Sequence, residues 1–384
     1  MLPAFLNATG LPVRRLAART QRRIREARMI AAALKSPLRP ILVHIIPIRR
    51  CNLSCTYCNE FDDFSKPVPT DEMMRRIDKL AALGTTVITL TGGETLLHPD
   101  IEKIVAHIRH HSIVAFQVTN GYLLTIDKIK ALNRAGLDHM QISVDNVKPD
   151  AVSKKSLKVL DQKLQWLAKY AEFRVSIHSV LGACTKNDED ALTVARRATE
   201  LGLISTAGIV HDSAGQLKPL NAEQRKIIEQ IEGLSRGRFS PVSHNPWRKN
   251  LINGLPNEWD CGAGGRHLYI CENGLVHWCM AQRGHPAIPL AQYTREDLIR
   301  EAAIKKDCAP YCTVFCIQRL AVIDEVRANP KQALERFFPP QEAEGKPAPI
   351  PFPIRALSSL LAPKEGGSRK RVLEKAALRI LKVD

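Results

Sequence analysis

Nowhere in the 384 residues do about 18 apolar residues run together, so the chain offers no helix of membrane-spanning length. No positive charge precedes the short apolar stretch within Met1–Gly10, which makes the start a poor secretory signal. Aromatic residues are scarce, at 5%. The basic segments lack the aromatic interleaving of a platform for single-stranded nucleic acid. With no export signal, the ten cysteines are expected in a reducing cytoplasm, where clustered thiols suit metal sites better than disulfides.

What the chain has in excess is positive charge, net +17, and it is unevenly placed. Residues 1–50 hold eleven Lys/Arg against one Glu, and residues 346–384 hold nine against three acids. The long middle is close to neutral, which argues against a broadly cationic nucleic-acid-binding core. In the first arm Leu16, Ile24, Ala27, Ile30 and Leu34 recur at near-helical spacing among arginines. Near the other end Val372, Leu373, Ala376, Ala377, Ile380 and Leu381 do the same among Lys370, Arg371, Lys375, Arg379 and Lys382. Basic amphipathic helices of this kind pack on a body or lie on an anionic membrane surface, and nucleic acid is the weaker reading.

From residue 42 short apolar runs alternate with longer helical patterns, the signature of βα units on a parallel sheet. Strands are predicted at Leu42–Ile48, Thr86–Gly92, Ile113–Asn120, His139–Asp145, Arg174–Val180 and Ser205–Asp212. Helices are predicted near 71–83, 99–110, 125–135, 156–170, 187–202 and 221–235, with Asp71 and Thr125 marking two starts. Six units make a partial (βα)6 barrel of the α/β class, two units short of closure, whose site belongs at the carboxyl ends of its strands. The expected division is a basic arm (1–40), the barrel (41–238), a linker (239–260), a cysteine-rich module (261–325), and a Pro-rich connector with a basic helix (326–384).

The loop after the first strand reads Cys51-Asn-Leu-Ser-Cys55-Thr-Tyr57-Cys58. Three thiols in eight residues can wrap one face of an iron–sulfur centre. A structural zinc site closes with four protein ligands, whereas three leave a metal position open. Thr91-Gly92-Gly93-Glu94 ends the second strand. Two glycines there let backbone approach a ligand, and the acid can accept from an ammonium.

The cysteine loop resembles the radical S-adenosylmethionine superfamily, whose hallmark is C-x3-C-x-aromatic-C after the first barrel strand. The Gly-Gly-Glu triplet is similar to that family's second motif, with Thr95 where proline is common. The resemblance spans about residues 42–215. It implies a [4Fe–4S] cluster on Cys51, Cys55 and Cys58, with Tyr57 as the motif aromatic. It also implies S-adenosylmethionine held at Gly92, Gly93 and Glu94, with Asn120, Ser143 and Asp145 near its ribose or carboxylate. His178, His211 and Asp212 are further candidates for lining the cavity. The implied chemistry is reductive cleavage to a 5′-deoxyadenosyl radical, which abstracts hydrogen from a peptide, sugar, cofactor precursor or lipid-linked substrate. The implied partner is a reductant such as flavodoxin or ferredoxin. The implied location is cytoplasmic, with peripheral contact at the inner face of the membrane through the arms.

Downstream, Cys261, Gly274 and Cys279 resemble the opening of the SPASM/Twitch auxiliary-cluster extensions, with Asn273-Gly274 as a hairpin turn. Cys308, Cys312 and Cys316 supply further thiols, two of which would join Cys261 and Cys279 on one auxiliary [4Fe–4S] cluster. Cys271 is a spare thiol and Cys184 an ordinary residue on this reading. Structural zinc remains open for this set, because thiolates suit both metals. The rival of another class is a non-catalytic metal module that docks on RNA or membrane through the arms.

Overall fold

The computed structural model describes residues 6–58, 60–182, 188–212, 216–235, 247–330 and 333. Six parallel strands, β1 (Leu42–Ile48), β2 (Val87–Gly92), β3 (Val114–Thr119), β4 (His139–Ser143), β5 (Arg174–Gly182) and β6 (Ile204–Val210), lie side by side in chain order. Between and after them run α2 (Thr70–Ala82), α3 (Ile101–His110), α4 (Ile126–Ala135), α5 (Leu157–Tyr170), α6 (Asp188–Glu200) and α7 (Ala222–Ser235). This is the expected partial (βα)6 barrel.

The local causes are those the sequence carries. Pro69 precedes α2, Asp71 and Glu72 sit in its positive first turn, and Met73, Ile77 and Leu80 repeat on one buried face. The Thr125 hydroxyl accepts from Lys128 N at 3.1 Å, and α4 ends on left-handed Gly136. On β1, Val43 and Ile45 join the core with α2 and α3, each side chain contributing roughly 1.5–3 kcal/mol of burial. His44, between them, points to the other face of the sheet.

The cysteine module is not set apart by a linker. β7 (His267–Ile270) pairs parallel with β1, so the hairpin to β8 (Leu275–His277) and then β9 (Pro286–Pro289) extend the barrel sheet to nine strands. A lone two-stranded hairpin is marginal in water, and docking it also covers the exposed β1 edge. Nor is 239–260 merely a connector. It includes α8 (Arg248–Ile252) and buries Trp247 to 2% exposure. α9 (Arg295–Ala303) and α10 (Phe315–Ala328) complete the module, α10 running past the expected boundary at 325.

The first basic arm is α1 (Leu6–Lys35), and it closes the amino-terminal end of the barrel. Arg25 pairs with Asp138 just before β4, and Glu26 with His139 and Arg174 at the starts of β4 and β5. Ala33 and Met29 pack on Ile41, Leu42 and the α10 residue Leu320. Arg266, before β7, bonds the carbonyls of Ala33, Ser36 and Arg39 and pairs with Asp324 of α10. The expected amphipathic arrangement is therefore turned over between residues 15 and 25 of the helix. Arg15, Arg22 and Arg25 face the body, while Leu16 and Ile24 are exposed. Backbone carbonyls and buried acids at the strand starts supply partners for the arginines, which explains the inversion. The second arm lies outside the described residues, as does Cys184. No described helix is long and apolar enough to cross a membrane.

Candidate active site at the carboxyl end of the barrel

The loop from β1 carries Cys51, Cys55 and Cys58 over the carboxyl ends of the strands. Its course is fixed by main-chain bonds: Cys51 N to Asp62 O at 2.9 Å, Thr56 N to Val152 O at 3.0 Å and Cys58 N to Cys55 O at 3.0 Å. The three thiols lie within electrostatic range of one another. Burial pushes Cys51 and Cys58 up, while N–H donors from Leu53 and Glu60 pull the other way. Leu53 N reaches the Cys51 sulfur at 3.4 Å, and Asn120 Nδ2 lies 3.7 Å from it. Three thiols close enough to feel one another's charge, with an N–H donor at the Cys51 sulfur, are a donor set that fits an iron–sulfur cluster.

Gly92 and Gly93 also answer a packing need that the sequence does not announce. A Cβ on Gly93 would stand 2.1 Å from Arg49 O and 2.3 Å from Arg50 O, and one on Gly92, at φ +121°, would meet Ile46. The glycines let the exit of β1 lie directly on the exit of β2, which seats the cysteine loop. The Glu94 carboxylate is 0% exposed and accepts from Thr119 Oγ1 at 2.6 Å, Asn120 N at 2.7 Å and Leu96 N at 2.9 Å. Burial raises its pKa against those three donors. It ties β2 to β3 and so positions Asn120, whose amide in turn bonds Asn52 of the cysteine loop at 2.7 Å.

Asp145 closes β4 and gathers a network that sequence reasoning missed. Its Oδ2 accepts from the Tyr57 hydroxyl, from Ser153 Oγ at 2.7 Å and from Lys155 Nζ at 3.1 Å. Lys155 also donates to the Tyr57 oxygen. Burial opposes the Lys155 charge, but Asp145, Tyr57 and Cys55 together outweigh it and hold the ammonium above its ordinary value. The second oxygen, Asp145 Oδ1, is buried without a hydrogen-bond partner. A buried acceptor of that kind calls for a donor, and a ligand hydroxyl meets the need. Ser153 and Lys155 sit in the irregular loop before α5 and carry no motif, so no sequence signal announced them.

Ser143 lies in register with His178 of β5, which in turn lies opposite Thr206 of β6. His178 bonds Thr206 Oγ1 at 2.9 Å, and burial pulls its pKa down to about 4. His211 and Asp212 stand beyond β6, and His211 Nε2 lies 3.2 Å from Tyr311 O, outside the Asp145 network.

In the second module four thiols converge from three segments. Cys312 feels Cys261, Cys279 and Cys308, and Cys279 feels Cys261 and Cys308. Burial pushes Cys279 up to about 12 and raises Cys261 and Cys312. Val314 N meets the Cys312 sulfur at 3.4 Å. Cys316 lies beside His44 and His267, and it also packs in one cluster with Cys279 and Cys261 and feels the charge of Cys261. Burial holds those two imidazoles down, to about 3 and about 4, so both are neutral. Cys271 is buried against Ile46 and Tyr269 as a core residue. None of the nine described cysteines is in a disulfide.

Comparison with known proteins places this arrangement. The model of the radical SAM superfamily matches residues 45–210, the span from β1 to the end of β6. Over that span the chain is similar to the radical SAM superfamily. A PqqA peptide cyclase of Methylorubrum populi is 35% identical over 48% of this chain and 51% of its own length. A GTP 3′,8-cyclase of Aquifex aeolicus is 28% identical over 57% of this chain and 71% of its own. The chain thus spans about half the length of the first of these relatives. In fold, SuiB of Streptococcus suis aligns with a TM-score of 0.54 at 14% identity, over 71% of this chain and 67% of that one.

Proposed function

We propose that this chain cleaves S-adenosylmethionine reductively at a cluster held by Cys51, Cys55 and Cys58, and uses the radical on a separate substrate. The observation that carries the reading is three thiols on the β1 loop close enough to feel one another's charge, braced by Asn120, with the buried, unpartnered Asp145 Oδ1 in the network that holds that loop. When bound, the cluster and S-adenosylmethionine together supply a 5′-deoxyadenosyl radical, which takes hydrogen from carbon.

The chain's own residues hold and shield. The three cysteines supply thiolates, and Leu53 N–H and Asn120 offset their charge. Tyr57, Asp145 and Lys155 lock the cysteine loop to the end of β4. Asp145 Oδ1, with Ser143 nearby, receives ligand hydroxyls, while the Gly92–Gly93 backbone and Glu94 fix the rim on which the amino-acid end of S-adenosylmethionine rests. Cys261, Cys279, Cys308 and Cys312 hold one auxiliary cluster. A peptide is one substrate class in keeping with SuiB, whose structure is known with the precursor peptide SuiA. A flavodoxin or ferredoxin supplies the electron. Exposed Leu16 and Ile24 beside Arg19 and Arg23 suit peripheral contact with an anionic membrane.

The experiment is anaerobic. The protein is reconstituted with iron and sulfide, given dithionite and S-adenosylmethionine, and assayed for 5′-deoxyadenosine. Formation that disappears in Cys55→Ala supports the reading. No product from a protein with a full iron complement overturns it. Iron and zinc counts on Cys261→Ala/Cys279→Ala test the second module: loss of about four irons supports a cluster, and loss of one zinc refutes it.

A further inference from the structure

Of the five thiols of the second module, one more than a four-thiol cluster needs, Cys316 packs beside Cys261 and Cys279 but also has two imidazoles in reach. Cys316 Sγ, His44 and His267 each bring a ligand atom within 4.8 Å of the others, and the two histidines belong to none of the motifs described above. His44 comes from β1, His267 from β7 and Cys316 from the first turn of α10. We propose that these three residues hold a divalent metal ion of the zinc class, separate from both iron–sulfur sets, with water in the fourth position.

Four features support it. His267 Nε2 and His44 Nδ1 stand 3.2 Å apart. A tetrahedron with metal–nitrogen bonds of about 2.0–2.1 Å has edges of about 3.3 Å, so one ion can join both nitrogens with little movement. The other ring nitrogen of His267 is 2.9 Å from Trp278 O. With Nδ1–H donating to that carbonyl, Nε2 presents its lone pair, which is the outer bond that ligating histidines commonly make. The two rings meet edge to face at 77°, centroids 5.0 Å apart, rather than stacking. Finally, Cys316 lies in the first turn of α10 with the Arg319 guanidinium one turn later; burial pushes its thiol up to about 11 against that charge, so it is a bound cation that would draw out the thiolate.

The donor set selects the ion. Two imidazoles and one thiolate suit zinc, and too few sulfurs are present for an iron–sulfur cluster. The site would fasten the first barrel strand to the docked hairpin and to α10, segments more than 220 residues apart at the first join. The inference stands apart from the radical reading. A chain that forms no 5′-deoxyadenosine can still carry this ion.

The test uses the full chain, reconstituted with iron and sulfide and then given one equivalent of zinc. Metal counting is expected to find about one zinc per chain, and zinc-edge X-ray absorption two nitrogens near 2.0 Å and one sulfur near 2.3 Å. No zinc, or zinc with four sulfurs, overturns the proposal; this arm needs no variant to fold. His44→Gln and Cys316→Ser are expected to lose the zinc and keep the wild-type iron count, which also reports that they fold. If Cys316→Ser instead loses about four irons, Cys316 belongs to the auxiliary cluster and the proposal fails.

Discussion

The two ends of this barrel use polar groups in opposite ways. At the amino-terminal end Asp138 is wholly buried, yet it is engaged by Arg25, by Arg109 at 3.5 Å and by Ala115 N at 3.1 Å. Glu26 is likewise met by His139 and Arg174. At the carboxyl end three thiols lie close enough to feel one another's charge, and the Asp145 network leaves an oxygen unmatched. One end spends its charge on closure, and the other holds it in reserve for something not of the chain. Buried atoms without a hydrogen-bond partner occur at both ends, Arg22 Nε at the one and Asp145 Oδ1 at the other, so what sets the carboxyl end apart is the thiols gathered beside its network.

The sharpest way to break the contrast is to cut each end in turn. Cys58→Ala should lose about four irons and bring 5′-deoxyadenosine to background, with far-ultraviolet circular dichroism retained. A variant that kept iron and turnover would remove Cys58 from the ligand set. Asp138→Ala should act the other way. It leaves Arg25 and Arg109 facing an empty buried site, a loss of about 3–5 kcal/mol in unfolding by denaturant. Product formed per bound iron should stay at the wild-type level. A drop in that ratio without a drop in stability would show the two ends to be coupled.

Tyr57→Phe probes the smaller contribution of the upper network. The hydroxyl that bonds Asp145 and Lys155 goes, but Ser153 and Lys155 still engage Asp145. A stability loss of about 1–2 kcal/mol is expected, together with weaker binding of S-adenosylmethionine measured by titration. Unchanged binding would leave the hydroxyl a purely local brace.

Much of this contrast was legible in the sequence, and unevenly so. The strands and helices of the barrel were, because Leu42–Ile48 and its successors are apolar runs bounded by caps such as Thr125 and stops such as Gly136. The cysteine loop was, because its spacing is local. What spacing could not carry was anything joined through space. Ser153 and Lys155 reach Asp145 from an irregular loop, and the docking of β7 on β1 joins residues more than 220 positions apart. The glycines were legible as necessary but not for what, since backbone meeting backbone and backbone meeting ligand demand the same missing Cβ. The arginines of α1 misled because charge usually faces water, and only the folded strand starts reveal the carbonyls and acids that take it inward.

The smallest effect sharpens the lower end by pH. Burial pushes the Glu26 carboxyl up, but the His139 hydrogen bond and the charges of Arg174 and Arg22 outweigh it and hold it below its ordinary 4.5. A carboxyl depressed on folding stabilises above its unfolded value, and that contribution is lost as pH falls through the folded one. His139, held below its ordinary 6.5 chiefly by burial, prefers to stay neutral, so its protonation erodes stability from that pH downward. Glu26 offsets part of that erosion and a glutamine does not. The stability gap between wild type and Glu26→Gln should therefore be on the order of 1 kcal/mol at pH 7. It should hold or widen towards pH 4.5 and close below it, read from denaturant midpoints across the range. A gap that is flat from pH 7 to pH 3 would mean that Glu26 docks α1 by shape and hydrogen bonding alone, and its charge would then have no part in closing the barrel.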